Sequence, residues 1–211
     1  MPVPVLRSVA PIAPDDGMTT VSSLCVYCGS STGASPVYAA AAERLGTELA
    51  ARDIRLIYGG GRVGLMGILA DAVLSGGGAV TGIIPGHLQE REVGHSALSE
   101  LIVVETMHER KAKMSEMADA FAVLPGGLGT LDETFEIVTW RQLRLHDKPV
   151  VVIDVDGYWG PLQQMVAAMT EGGFVRKEHA ALFTVVPGIE EAFDVLQSAP
   201  PPRFGVDSKH L

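Results

Sequence analysis

The residues most able to do chemistry in this 211-residue chain are Pro125-Gly126-Gly127-Leu128-Gly129-Thr130-Leu131-Asp132-Glu133. They follow Ala120-Phe121-Ala122-Val123-Leu124, an unbroken apolar run that reads as a buried parallel strand. Glu133 to Leu143 then read as a helix with Leu131, Phe135, Val138 and Leu143 toward its inner side. A strand, a glycine-rich turn and a helix start leave backbone N–H groups and a helix dipole facing a bound phosphate. A carboxylate close to that anion site suits a ligand whose non-phosphate portion meets Glu133. The same residues also have the Thr-x-x-Glu spacing of a capping box, Thr130 to Glu133, which needs no ligand.

Other candidates fall at strand ends, where open parallel sheets bind their ligands. The first strand runs into Gly29 and Ser30, and the second into Gly59, Gly60 and Gly61, with further glycines at 64 and 67. This second segment lacks the acidic residue about twenty positions on that a dinucleotide fingerprint requires, so it reads as a close-approach loop. Its alternative is a sharp turn with no ligand. At the fourth strand end come Met107, His108, Glu109, Arg110 and Lys111. Thr106 and Glu109 form a second capping box, which places two cations near the positive end of a helix dipole. That placement costs roughly 0.3–1 kcal/mol per charge, so it suggests a phosphate clamp. The alternative for Lys111 is a side chain that reaches into solvent.

These positions need a scaffold, and the pattern supplies one. Strands are expected at Leu24–Cys28, Ile54–Tyr58, Ala79–Ile84, Leu101–Val104, Ala120–Leu124, Val150–Ile153 and Phe183–Val186. Helices are expected at Pro36–Arg52, Gly64–Ser75, Met107–Ala118, Glu133–Leu143, Pro161–Glu171 and Ile189–Gln197, the first capped by Ser35. Strict alternation implies an α/β fold with a parallel sheet covered by helices on both faces. One domain over residues 21–198 is expected, with a disordered N-terminal extension over 1–20 and a proline-rich tail over 199–211.

Composition narrows the function classes. A formal charge of −9 argues against nucleic-acid binding, which needs a basic surface. No stretch is apolar for long enough to span a membrane. The first residues lack a continuous apolar secretory segment, so a cytoplasmic location is expected. Cys25 and Cys28 form a C-x-x-C, but three residues apart on a strand they face opposite sides, which favours inert core thiols. The six histidines lack metal-site spacing, so neither a metal nor a cofactor is expected.

Together, Tyr58-Gly59-Gly60-Gly61 through Gly67, Met107-His108-Glu109-Arg110-Lys111 and the Pro-Gly-Gly-x-Gly-Thr-x-x-Glu motif resemble the LOG family. These are cytokinin riboside 5'-monophosphate phosphoribohydrolases, long mislabelled as lysine decarboxylases. The resemblance spans about residues 24–197. It implies a Rossmann-like three-layer fold, a homodimer, and release of a free base and ribose 5-phosphate from cytokinin nucleotides and AMP. Matched residue by residue, it makes Arg110 and Glu133 the catalytic pair. Its binding positions fall on Lys111, Gly126, Gly127, Leu128, Gly129, Thr130 and Asp132, with Glu92 in the loop between Pro85 and Glu100. Asp132 stands where the family commonly has Glu. Gly29, Ser30, Gly60, Gly61 and Met107 complete the candidate contacts.

The expected chemistry is hydrolysis of an N-glycosidic bond through an oxocarbenium-like ribose. Glu133 would stabilise that cation, engage ribose hydroxyls or orient water, while the glycine-loop amides hold the phosphate. Arg110 would join the clamp or assist departure of the base. The alternatives are a general AMP nucleosidase, a nucleotide sensor without catalysis, and a pyridoxal-phosphate lysine decarboxylase. The last needs a Schiff-base lysine in a suitable setting, and none is evident.

Overall fold

The computed structural model describes residues 21–89, 98–200 and 203. The expected N-terminal extension, Glu92 and most of the C-terminal tail lie outside them. Seven strands form one parallel sheet: β1 (Ser23–Tyr27), β2 (Arg55–Tyr58), β3 (Val80–Pro85), β4 (Glu100–Val104), β5 (Ala120–Val123), β6 (Val150–Ile153) and β7 (Thr184–Val186). Their order is β4-β3-β2-β1-β5-β6-β7. The helices are α1 (Pro36–Ala51), α2 (Gly64–Ser75), α3 (Gly86–Gln89), α4 (Met107–Met117), α5 (Leu128–Gln142), α6 (Gly160–Glu171) and α7 (Ile189–Ser198).

Alternation along the buried strands divides the core in two. Leu24, Val26, Leu56, Tyr58, Ala122 and Val151 pack against α1, α2 and α7. Cys25, Tyr27, Ile57, Phe121, Val123 and Val152 face the opposite way, against α4, α5 and α6. A sheet buried on both faces favours near-continuous apolar strands, and each fully buried Leu, Val or Ile contributes roughly 1.5–3 kcal/mol. Cys25 and Cys28 fall on opposite faces of the sheet as free, buried thiols. Burial pushes both well above the ordinary thiol range, so neither is a poised nucleophile.

The strand order reverses direction at β1, which pairs with β2 on one side and β5 on the other. The chain leaves β1 toward α1 on one face and leaves β5 toward α5 on the other, so a crevice opens at their carboxyl ends. Gly29 N–H donates to Pro125 O at 3.0 Å, and Leu65 N–H donates to Gly29 O at 3.0 Å. Three turns are thereby tied into one floor.

Local signals set the helix starts. Ser35 caps α1 and Pro36 occupies its first turn, as expected. Thr106 caps α4, its hydroxyl accepting from Glu109 N–H at 3.1 Å. The reciprocal half of that box is shifted by one residue, because the Glu109 carboxylate accepts from Glu105 N–H at 2.9 Å. Helix α5 departs more from expectation. It begins at Leu128, five residues earlier than the apolar pattern suggests, with Gly127 as N-cap and no side-chain capping bond. Thr130 is therefore the third helical residue and caps nothing, so the Thr130–Glu133 capping box does not form. Leu131, Phe135 and Val138 pack against the core as expected, but the most deeply buried positions of α5 are Thr130, Glu133, Thr134, Ile137 and Trp140, and Leu143, just past the helix, is 61% exposed. Beyond Pro85 the expected loop opens instead with the short helix α3.

Candidate active site

An N-terminus without a side-chain cap leaves the first N–H groups of α5 available to an external acceptor, and its dipole favours an anion. Gly126 and Gly127 form the turn that makes this possible. A Cβ on Gly126 would stand 2.9 Å from Gly29 N and 2.1 Å from Thr130 Oγ1, so no larger residue fits between the β1 and β5 turns. Beside this helix start lies a cavity of about 220 Å³, lined by Cys28, Gly29, Ser30, Met66, Met107, Arg110, Gly127, Leu128, Gly129, Thr130, Asp132 and Glu133.

Two buried charges face each other in its wall. Glu133 lies in the second turn of α5 and Arg110 in the first turn of α4, at 9% and 7% exposure. Arg110 Nη1 stands 3.6 Å from Glu133 Oε1. The rest of the guanidinium is held by backbone: Nε donates to Ile83 O at 3.1 Å and Nη2 to Gly59 O at 3.3 Å. Buried charge persists only when paired and hydrogen-bonded, and these carbonyls meet that requirement. They also offset the unfavourable placement of a cation near a helix N-terminus. Gly59 is glycine for this reason, since a Cβ there would lie 1.8 Å from Arg110 Nη2. The glycine loop after β2 thus acts through Arg110. Gly60 and Gly61 are buried and line no part of the cavity.

Lys111 is neither directed at the cavity nor free in solvent. Its Nζ lies 3.0 Å from Asp132 Oδ2 and 3.0 Å from Glu136 Oε1, joining α4 to α5. Burial alone would lower its pKa, but the hydrogen bonds that Lys111 donates to these two carboxylates outweigh that and raise it. Asp132 borders the cavity with a carboxylate already engaged by Lys111. Gly29 and Ser30 line it from β1, Met107 from the start of α4, and Leu128, Gly129 and Thr130 from α5. Gly126 lies on the far side of the turn, bordering a second cavity of about 250 Å³ with Gly33, Tyr38 and Tyr158.

The segment after β6, which no motif marks, contributes Tyr158. Its hydroxyl donates to Gly126 O at 2.5 Å. The signal available for it is the Asp156-Gly157 pair, a turn dipeptide shortly after an apolar strand.

The residues 66–196 match a family described as possible lysine decarboxylase. A probable cytokinin riboside 5'-monophosphate phosphoribohydrolase of Oryza sativa subsp. japonica is 45% identical over 186 residues, covering 88% of this chain and 76% of that protein. Cytokinin riboside 5'-monophosphate phosphoribohydrolases of Arabidopsis thaliana are 42% and 43% identical over the same length, with 82% and 87% of their chains covered. The chain belongs to the LOG family. Among solved structures, the molybdenum cofactor carrier protein of Chlamydomonas reinhardtii matches with a TM-score of 0.64 at 18% identity, over 84% of this chain and 96% of that one. A molybdenum cofactor binding protein of Rippkaea orientalis matches with a TM-score of 0.62 at 19% identity, over 85% and 97%. At that identity the likeness establishes the Rossmann-like fold alone. The older family description fits the site poorly. Among the described residues no lysine lines the cavity, Lys111 is doubly ion-paired, and buried Lys148 donates to Ser115 O at 2.8 Å. Among the described residues no helix is long and apolar enough to cross a membrane.

Proposed function

We propose that this LOG-family protein hydrolyses the N-glycosidic bond of cytokinin riboside 5'-monophosphates, and of AMP, releasing the free base and ribose 5-phosphate. The observation that carries the reading is the buried Arg110–Glu133 pair beside a helix N-terminus that no side chain caps. The 5'-phosphate sits on the amides at the start of α5, with Thr130 beneath it. The ribose then lies over Glu133. As the bond to the base lengthens, positive charge grows on the ribose ring, and a fixed carboxylate in a buried wall stabilises it. Water adds to the anomeric carbon and gives up a proton, while the departing base gains one. Arg110, held by Ile83 and Gly59, fixes the Glu133 carboxylate rather than closing on the phosphate.

Met107 and Leu128, 37% and 85% exposed, flank the cavity and offer an apolar surface for the base. The test supplies AMP, adenosine and N6-isopentenyladenosine 5'-monophosphate and separates the products by chromatography. Free base is expected from both monophosphates and far more slowly from adenosine. Equal turnover of AMP and adenosine would remove the phosphate site. Binding without base release would make the protein a nucleotide sensor, and a clear preference for AMP would make it a general AMP nucleosidase.

We also infer a homodimer. The support is family membership together with an apolar trough beside the glycine turn, lined by Leu128, Leu131, Trp159, Leu162 and Met165.

A further inference from the structure

Tyr158 belongs to no strand or helix of the sheet, yet its position is tightly specified. The chain leaves β6 through Asp154 and turns through Asp156 at φ 56° and Gly157 at φ 73°. Two successive residues in the left-handed region, one of them not glycine, are costly unless surrounding contacts enforce them. The Asp154 side chain supplies one, accepting from Trp159 N–H at 2.6 Å, while Asp154 N–H donates to Val186 O at 2.8 Å. The Tyr158 ring is held edge-on between Tyr38 and Trp159, at centroid distances of 5.4 and 4.8 Å. All of this delivers one hydroxyl to one backbone oxygen, Gly126 O.

We propose that Tyr158 is a positioning residue for the phosphate-binding turn. The peptide between Gly126 and Gly127 is planar and trans, so its C=O and the Gly127 N–H point in opposite directions. Fixing the oxygen therefore fixes the direction of the N–H that follows. Without the phenol this glycine–glycine peptide has a large conformational freedom to lose on binding an anion. The hydrogen bond also polarises the amide, which strengthens its N–H as a donor.

The substrate arm of the test rests on the phosphoribohydrolase reading, and the anion arm does not. Tyr158→Phe keeps the ring between Tyr38 and Trp159 and removes only the hydroxyl. Inorganic phosphate binding, measured by calorimetry, is expected to weaken on the order of 5- to 10-fold, because the anion must then order a glycine–glycine peptide that the phenol no longer holds. KM for AMP should rise by a similar factor with kcat changed less than twofold, and the melting temperature should fall by no more than about 4 °C, the effect of losing one hydrogen bond. If phosphate affinity is unchanged, or if kcat falls without a rise in KM, Tyr158 is structural and the proposal is overturned. A wild-type protein that binds phosphate but releases no base would defeat the hydrolase reading alone. Weakened phosphate binding in the Phe variant would still support the positioning role.

Discussion

Glu133 illustrates how one residue type supports different readings until its surroundings are known. Thr-x-x-Glu spacing is a capping signature, and a glutamate there could exist only to start a helix. The start of α5 at Leu128 removes that reading, because Glu133 stands in the second turn, where no capping bond is needed. Its carboxylate instead faces Arg110 Nη1 at 3.6 Å inside the protein. Glu133→Gln keeps the shape and an amide oxygen toward Arg110, and Arg110 retains its bonds to Ile83 O and Gly59 O. A loss of about 1 kcal/mol of stability follows, seen as a melting temperature lower by roughly 2–4 °C. Turnover of AMP should fall by about 100-fold or more, the scale on which one electrostatic stabiliser acts. Phosphate binding should persist, since the α5 amides are untouched. Near-normal turnover in purified Glu133→Gln protein would leave the carboxylate without a catalytic role.

At the scale of elements, what was legible followed from strong local signals. The strands buried on both faces stand out as short apolar runs, and β6 at Val150–Ile153 and α2 at Gly64–Ser75 match expectation at both ends. Ser35-Pro36 marks the start of α1 because cap and ring each fix backbone geometry locally. The start of α5 was hidden because glycine carries no capping side chain to announce it. Leu131, Phe135 and Val138 marked part of its inner side, whereas Thr130, Thr134 and Glu133 look like surface residues, and only the crevice makes them interior. The candidate site was legible as motifs but not as roles. The loop after β2 suggested direct ligand contact, whereas Gly59 makes room for Arg110 across 51 residues of chain. Lys111 suggested a phosphate clamp until Asp132 and Glu136 appeared on the neighbouring helix. For Tyr158 the sequence marks only the turn at Asp156-Gly157, because its hydrogen bond reaches Gly126 from the far side of β5, a relation that no local spacing encodes.

The whole molecule sets the last two expectations. If the apolar trough beside the glycine turn is covered by a second copy, light scattering will give twice the chain mass, and Leu128→Glu will shift it toward the monomer; a wild-type monomer with full activity would end the dimer proposal. Stability against acid depends instead on His146, which is fully buried with its ring 5.5 Å from Phe121. Its Nε2 bonds to Ile137 O at 2.9 Å, and Nδ1 has no hydrogen-bond partner among the described residues. Burial lowers its pKa from 6.5 to about 4, with Lys148 and Arg141 acting in the same direction and the hydrogen bond to Ile137 O and the Asp147 carboxylate opposing them. The unfolded chain therefore takes up a proton near pH 6.5 that the folded protein refuses until about pH 4. Stability from this group is complete above pH 6.5 and is lost as the pH falls through that window, by about 3 kcal/mol in total. Asp119 acts lower down. Burial works to raise its pKa, but hydrogen bonds from Ser22 and Ser23 outweigh it and hold the carboxyl below the usual 3.8, so its contribution disappears only in stronger acid. His146→Gln separates the two, since an amide donates to Ile137 O without titrating. Urea midpoints measured from pH 7.5 to 4.5 should decline steeply in the wild type and much less in the variant. Parallel slopes for the two proteins would show that His146 does not control the acid limb.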